Sequence, residues 1–374
     1  MKKSLLIVLF AALLLLSACG LSLPIPSAAP APAEADVDAS DMPVPETMPP
    51  EEPGTGRIMV HMSHTVLDVL PEDGDGEPKT VSYYLPTVSV THREEAQEAI
   101  NATLREDADA FVLDATNYLV DTTGEALVQR VCLVPRQDRL VFTVLCSDRY
   151  NGGTESRRAL CFNTLTGAQL RFSDLTDDAD ALLALCSDYA EMMNGTAPDL
   201  RAAPTDGHWY LSAEGLVLFH KDGELTVPYP VLMSALSENC MPPEEEPVRG
   251  QLYAAYANDI HSESLDILDE LTLPDGFESV IFWARGSLRN VRAVAVNDPS
   301  MPDGELLWTC SRLADGEAVR FNVTVPENEP LFRLYWETDR GAASAMLCRS
   351  GEDGKVSLDA LSDAAANPFP EAVG

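Results

Sequence analysis

Val81-Ser82-Tyr83-Tyr84-Leu85-Pro86-Thr87-Val88-Ser89-Val90, followed at once by Thr91-His92-Arg93-Glu94, decides how the folded part of this chain is read. The first ten residues are rich in β-branched and aromatic side chains, which suits a half-buried pleated strand. Pro86 cannot donate to a ladder, so it belongs at an edge or a bulge. Thr91-x-x-Glu94 has the pattern of a capping box. Behind it, Ala96, Ile100, Leu104, Ala108 and Phe111 recur at helical spacing, which predicts an amphipathic helix over about 92–112.

Downstream, three strands are expected over roughly 126–134, 139–149 and 157–163. Pro135-Arg136-Gln137-Asp138 turns the chain between the first two, and Asn163-Thr164-Leu165-Thr166-Gly167 follows the third. A second helix is expected over about 177–193, with Leu182, Leu183, Cys186, Tyr189 and Met193 on its apolar face and Gly195 just past its end. Short strands near 208–212, 216–220 and 225–229 precede a last short helix at roughly 230–236. Most of these strands are sequence neighbours, so an α+β fold with an antiparallel sheet and packed helices is favoured over a parallel doubly wound one.

The Pro/Glu-rich run 237–250 (SENCMPPEEEPVRG) suggests a boundary between an α+β domain, 57–236, and a C-terminal domain, 251–374. After a partly helical 252–271, short strands recur at about 279–286, 291–297, 305–311, 318–325, 330–337 and 343–349. Asp303-Gly304, Asp315-Gly316 and Asp353-Gly354 punctuate them. Regular strands at this spacing predict a smaller, mostly-β, sandwich-like domain.

Upstream of the strand lies a different kind of segment. Met1-Lys2-Lys3 and the apolar run Leu5 to Leu16 have the order of an export signal, and the run is short for a membrane-spanning helix. It ends in Leu16-Ser17-Ala18-Cys19-Gly20, the pattern of a bacterial lipobox. Small residues at 17 and 18 let the backbone lie extended in a peptidase groove, and the Cys19 thiol is the group to be alkylated by a diacylglyceryl donor. Residues 1–18 are therefore expected to be removed and Cys19 to carry lipid. Two acyl chains suffice for stable anchoring, since each buried CH₂ contributes about 0.8 kcal/mol. Gly20 to Gly56 holds nine prolines, seven acidic residues and no Lys or Arg. Such a composition favours an extended spacer, so 19–56 is expected to be a Pro/acidic tether. The expected location is the outer face of a bacterial membrane.

The formal net charge is −35, from 60 acidic and 25 basic residues. A chain this acidic repels phosphate backbones, which argues against nucleic acid as a partner. A cationic protein partner is compatible with it. Of eight cysteines, seven follow Cys19, an odd number that cannot all pair within one chain. Several sit in apolar runs, as in Val131-Cys132-Leu133 and Val144-Leu145-Cys146, where they behave as small hydrophobes.

The stretch from about 80 to 236 resembles the PdaC/RsiV-like extracytoplasmic region, in which domain of unknown function 4163 is followed by domain of unknown function 3298. The resemblance is carried by Tyr83-Tyr84-Leu85-Pro86, by Ala99-Ile100-Asn101 in the predicted helix, and by Leu140 to Tyr150 with Asn151-Gly152-Gly153 after it. It continues in Cys161-Phe162-Asn163-Thr164-Leu165-Thr166-Gly167, Leu170, Ser173-Asp174-Leu175, Trp209-Tyr210-Leu211, Glu214-Gly215-Leu216 and Pro228-Tyr229. It departs from the family at Thr154-Glu155, where a histidine is common, and at the tight turn 221–224, where a longer loop is common. The resemblance implies a non-catalytic binding or sensing module at the cell wall, with a wall glycan such as peptidoglycan or a lysozyme-like wall-active protein as partner.

No HExxH, GxSxG, P-loop or Cys/His ligand spacing is present, so no catalytic motif, metal or cofactor is expected. His61-Met62-Ser63-His64 is the one close histidine pair, and Ile58-Met59-Val60 before it suggests a strand, with surface or edge histidines. Tyr150-Asn151-Gly152-Gly153-Thr154-Glu155 joins an aromatic to exposed, flexible backbone. It reads either as a plain turn between strands or as part of a ligand-binding surface, where Tyr supplies contact area and Gly allows close approach. Three roles remain open: a recognition lipoprotein, a structural or assembly lipoprotein of the envelope, and an envelope hydrolase.

Overall fold

The computed structural model describes residues 56–69, 78–153, 155–195, 207–220, 223–244, 247–260, 264–273, 276–296, 305–325, 331–349 and 354–360. Cys19, the export signal, the tether as far as residue 55, Thr154 and His261 lie outside the described residues.

The strands in chain order are β1 (Ile58–Asp68), β2 (Lys79–Val90), β3 (Ala126–Gln137), β4 (Val141–Tyr150), β5 (Glu155–Asn163), β6 (Trp209–Leu211), β7 (Gly215–His220), β8 (Gly223–Pro228) and β9 (Gly250–Tyr256). They continue with β10 (Asp266–Thr272), β11 (Glu278–Gly286), β12 (Leu288–Ala295), β13 (Leu306–Leu313), β14 (Glu317–Val323), β15 (Phe332–Thr338), β16 (Gly341–Arg349) and β17 (Val356–Ala360). The helices are α1 (Glu94–Asp121), α2 (Ala179–Asn194) and the single turn α3 (Tyr229–Leu232).

Ten strands form one sheet in the order β17-β16-β15-β12-β13-β1-β2-β3-β4-β5. All its neighbours are antiparallel except β2 and β3, which run parallel over Lys79–Tyr83 and Ala126–Arg130. A parallel pair needs a crossover, and α1 supplies it. The antiparallel sheet with packed helices expected from the sequence is present, with this one parallel pair inside it. Pro86 sits beyond Tyr83, where pairing to β3 has ended, so no ladder bond is lost to it.

α1 buries Ala96, Ile100, Leu104, Ala108, Phe111, Ala115 and Leu119 against the sheet, one apolar stripe running two turns past the predicted end. The capping box does not form. Thr91 spends its backbone on the ladder, donating to Arg57 and accepting from Gly56, so the helix starts at Glu94 with Arg93 at the N-cap, its side chain donating to the Arg139 carbonyl instead of capping the helix. α2 begins with Asp178 accepting from the Ala181 N–H and ends at Gly195, whose φ of 73° is the left-handed cap geometry. Its buried residues are Leu182, Cys186 and Ala190, while Met193, expected on the apolar face, is exposed. This face packs with the three-stranded sheet β6-β7-β8 in one core containing Trp209, Leu211, Leu218 and Val227.

The C-terminal part forms the expected sandwich. A four-stranded sheet, β10-β14-β11-β9, faces the β12–β16 side of the large sheet. Aromatic edges join the two layers: Phe321 meets Phe332 at 5.5 Å and Trp308 at 6.0 Å between ring centroids. The described residues of 252–271, a stretch expected to be partly helical, include β9, a 3₁₀ turn at Ala257–Asp259 and β10. The boundary expected at 237–250 does not interrupt the large sheet, because β1 pairs with β13: Met59, Val60 and His61 face Cys310, Thr309 and Trp308. An apolar strand with β2 on one edge leaves its other edge to be paired, and β13 takes it.

Candidate functional site

β1 pairs with β2 over its whole length, Ile58–Asp68, but with β13 only as far as His61. Beyond His61 the β1 edge leaves β13, and a groove of about 720 Å³ opens there. That volume falls in the range of small-ligand sites, roughly 300–1,000 Å³. Its apolar wall includes Leu271 and Leu273 from the end of β10, Leu307 from β13 and Phe332 from β15. The polar groups that reach it are His61, Ser63 and His64 of β1, Tyr84, Thr87 and Ser89 of β2, and Glu305 just before β13.

Each polar group has a structural reason for its place. Along β1 the side chains alternate, with Val60, Met62 and His64 on the α1 side and Met59 and His61 on the sandwich side. His61 therefore points at the four-stranded sheet, where its Nε2 donates to Asp269 Oδ2 at 2.5 Å. The same oxygen accepts from Trp308 Nε1 at 2.9 Å, and Oδ1 accepts from the Glu270 N–H at 2.9 Å. A register shift between Ile267 and Asp269 aims this side chain out of the regular ladder of β10. Burial alone would raise the Asp269 carboxyl, but the bonds from His61 and Trp308 outweigh it and hold its pKa below the usual carboxylate value.

On the other face, His64 stacks on Tyr84 with centroids 4.5 Å apart and planes 10° from parallel. His64 Nε2 lies 2.8 Å from Ser82 Oγ. Burial and then the Glu305 carboxylate push the Tyr84 hydroxyl pKa up, so it stays a neutral phenol. Among the described residues no atom lies within strict hydrogen-bond geometry of that buried hydroxyl, and Glu305 is its nearest acidic neighbour by effect.

Among the described residues no hydroxyl or thiol is hydrogen-bonded to His61. The His61–Asp269 pair is thus an imidazole oriented by a carboxylate, without an attached nucleophile.

The turn singled out from the sequence lies at a different place. Asn151 (φ 53°) and Gly152 (φ 68°) form a two-residue turn with both central residues left-handed, closed by the Gly153 N–H donating to the Tyr150 carbonyl at 2.9 Å. This is the type I′ geometry that matches hairpin twist. Tyr150 packs edge-on against Tyr118 of α1 at 5.0 Å, and burial followed by Asp148 and Asp114 raises its pKa. Asn151 ties the turn to β3 by donating its N–H to the Leu127 carbonyl at 2.8 Å. Glu155 pairs with Arg149 at 3.0 Å across the hairpin. Gly152 and Gly153 are exposed, and none of these residues lines the groove.

His61 and His64, expected as surface or edge histidines, lie where β1 parts from β13, with His64 exposed and His61 part-buried. Asp269, Trp308, Glu305 and Tyr84 were missed as their neighbours. The only local signal was the strand pattern of residues 58–60, which put the two histidines on opposite faces; the partners lie elsewhere in the chain.

No family model matches the chain, and no curated protein matches it. Among solved structures, several chains are similar to part of it, two of them as follows. One is a protein of the domain of unknown function 3298 family from Pseudomonas aeruginosa, at 14% identity and TM-score 0.36, covering 50% of this chain and 97% of that one. The other is a member of the same family from Bacteroides fragilis, at 12% identity and TM-score 0.37, covering 50% of this chain and 96% of that one. Both carry the designation of the second half of the resemblance read from the sequence, and neither carries that of the first half. Both are described by that designation alone, and likenesses this low bring no activity to the chain.

Proposed function

We propose that this chain is a lipid-anchored, extracytoplasmic recognition module without catalysis, and that the groove beside β1 holds a segment of cell-wall glycan. The observation that carries the reading is the groove itself: a largely apolar trough of about 720 Å³ with His61, His64, Tyr84 and Glu305 converging on it. Sugars present apolar ring faces and a rim of hydroxyls, and such a trough complements both. The lipobox at Cys19 supplies the location, and the Pro/acidic tether supplies reach from the membrane. Among the described residues no hydroxyl or thiol is bonded to His61, which speaks against a Ser- or Cys-based hydrolase at this groove.

A second reading rests on a separate observation. The outward face of α1 exposes Glu94, Glu95, Glu98, Glu106, Asp109, Asp114 and Asp121 against one base, Arg105. A face this acidic steers a cationic protein, such as a lysozyme-like enzyme, at rates that fall with salt.

Calorimetric titration separates the two. The glycan reading expects heat with soluble peptidoglycan fragments that changes little between low and moderate salt. Thr87→Trp, an exposed groove position, should weaken it at least about tenfold, 1.4 kcal/mol. The protein reading expects salt-sensitive binding of lysozyme that Thr87→Trp leaves unchanged. Binding to neither removes both. Mass spectrometry of the amino-terminal peptide from a bacterial membrane fraction tests the anchor: Cys19 should carry a diacylglyceryl group and begin the chain.

A further inference from the structure

Cys132 and Cys146 stand directly opposite each other in the β3–β4 ladder. Their Sγ atoms are 3.4 Å apart, and both side chains are almost fully buried. Among the described residues the other five thiols, Cys161, Cys186, Cys240, Cys310 and Cys348, have no second sulfur at hydrogen-bonding distance. The register of the pair is pinned. One step along the same face, Arg130 of β3 clamps Asp148 of β4 through Nε at 2.6 Å and Nη2 at 2.7 Å, and reaches Asp107 of α1 through Nη1 at 2.8 Å. Slipping the strands would break that clamp.

We propose that Cys132 and Cys146 form the chain's one strand-to-strand disulfide when the protein folds in the presence of a disulfide oxidant. Directly opposed residues in an antiparallel pair have Cα atoms about 4.5–5.5 Å apart, inside the window of about 4.4–6.8 Å that a disulfide tolerates. A small change in the side-chain torsions closes the sulfurs. With glutathione disulfide as oxidant, one cysteine thiolate attacks an S–S sulfur, making a mixed disulfide and releasing one glutathione thiolate. The second cysteine thiolate then attacks the protein sulfur of that mixed disulfide, forming the Cys132–Cys146 bond and releasing the other glutathione. The two protein protons end on the two glutathione thiolates, so the protein is oxidised by two electrons and the glutathione disulfide reduced by two.

The bond belongs to the folding stage. The pair lies in the core that Ile100 and Leu104 of α1 cover. In the folded chain Cys132 is hydrogen-bonded to Cys146 and buried, which pushes its pKa well above that of a free thiol, so it is a poor nucleophile there. The thiol state reached during folding is then kept. It also touches the groove: the Cys132 thiol donates to the carbonyl of Tyr84 at 3.3 Å, and the disulfide removes that donor.

The experiment is differential alkylation with peptide mass spectrometry on the full chain. The denatured, reduced protein is refolded with oxidised glutathione, and in parallel the already folded, reduced protein is exposed to it. Refolding should give a Cys132–Cys146 peptide as the dominant linkage, and the folded protein should give it at least tenfold more slowly. Free Cys132 and Cys146 after oxidative refolding, or linkages spread evenly over other cysteines, would overturn the proposal. Equal rates in the two arms would overturn the sealing by α1. Cys132→Ser should abolish the linked peptide; should that variant not fold, the mapping of the unaltered chain still decides.

Discussion

The side-chain amide of Asn101 pairs with the backbone of Val88 as a strand would, accepting from its N–H at 2.8 Å and donating to its carbonyl at 2.7 Å. Val88 lies past Tyr83, where β3 has left β2, so the ladder on that side has no strand to continue it. One turn earlier on α1, Gln97 Oε1 accepts from the Val90 N–H at 3.0 Å. The helix thus finishes the sheet with side chains. Thr87, Val88 and Ser89 line the groove, so these bonds also hold one groove wall.

Asn101→Ala leaves a buried strand N–H and carbonyl without partners. Each such group costs about 1–3 kcal/mol, and relaxation toward water offsets part of it, so a net loss of about 2–3 kcal/mol is expected. Urea unfolding followed by circular dichroism measures it. A loss below about 0.5 kcal/mol, within the range of surface substitutions, would show that the amide is not needed to close the sheet.

Arg130 of β3 is a buried charge, and it is held by two carboxylates, Asp148 and Asp107. It also lies over the Phe111 ring at 4.1 Å. Arg130→Met removes the cation and leaves both carboxylates poorly solvated, which should cost about 3–5 kcal/mol. The double variant Arg130→Met, Asp148→Leu should recover part of that loss in the same unfolding assay.

Asp269 gives stability a defined pH dependence. Its folded pKa lies below the unfolded value, held down by His61 and Trp308 against burial. At pH values between the two, the unfolded chain binds more protons than the folded one, so stability rises with pH there. The contribution is fully present above the unfolded value, near pH 4, and is lost as pH falls through the folded one. Thermal midpoints of the wild type and of Asp269→Asn should therefore converge on acidification below about pH 4 and separate above it. Parallel curves from pH 7 to pH 3 would count against the His61–Asp269 bond.

Gly152→Ala tests the hairpin turn. Its φ is 68°, and an added Cβ would meet nothing within 4 Å, so the cost is backbone strain alone. A loss of about 1–2 kcal/mol is expected. Because the turn does not line the groove, ligand affinity should stay within twofold of wild type, whereas Thr87→Trp should reduce it. A binding loss at Gly152 without one at Thr87 would move the recognition surface back to the hairpin tip.

Local pattern carried much of the structure. Runs of β-branched, aromatic and other apolar residues located β2 to β5 and β11 to β16, and a four-residue repeat from Ala96 placed α1. Asn151-Gly152 declared its turn by conformational preference alone. Each of these follows from neighbours in the chain. The capping box at Thr91 was misread for the same reason, since the ladder to Gly56 and Arg57 claimed that backbone first.

What only the tertiary structure decided is which strand takes the free edge of β1. That choice joins the two parts of the chain in one sheet, ends at His61, and opens the groove beyond it. His61 and Asp269 stand 208 residues apart in sequence and 2.5 Å apart in space. Residue pattern records which face a side chain shows, through the local backbone geometry. It does not record which distant strand satisfies an edge, because that is settled by competition among all strands for hydrogen bonds and buried area.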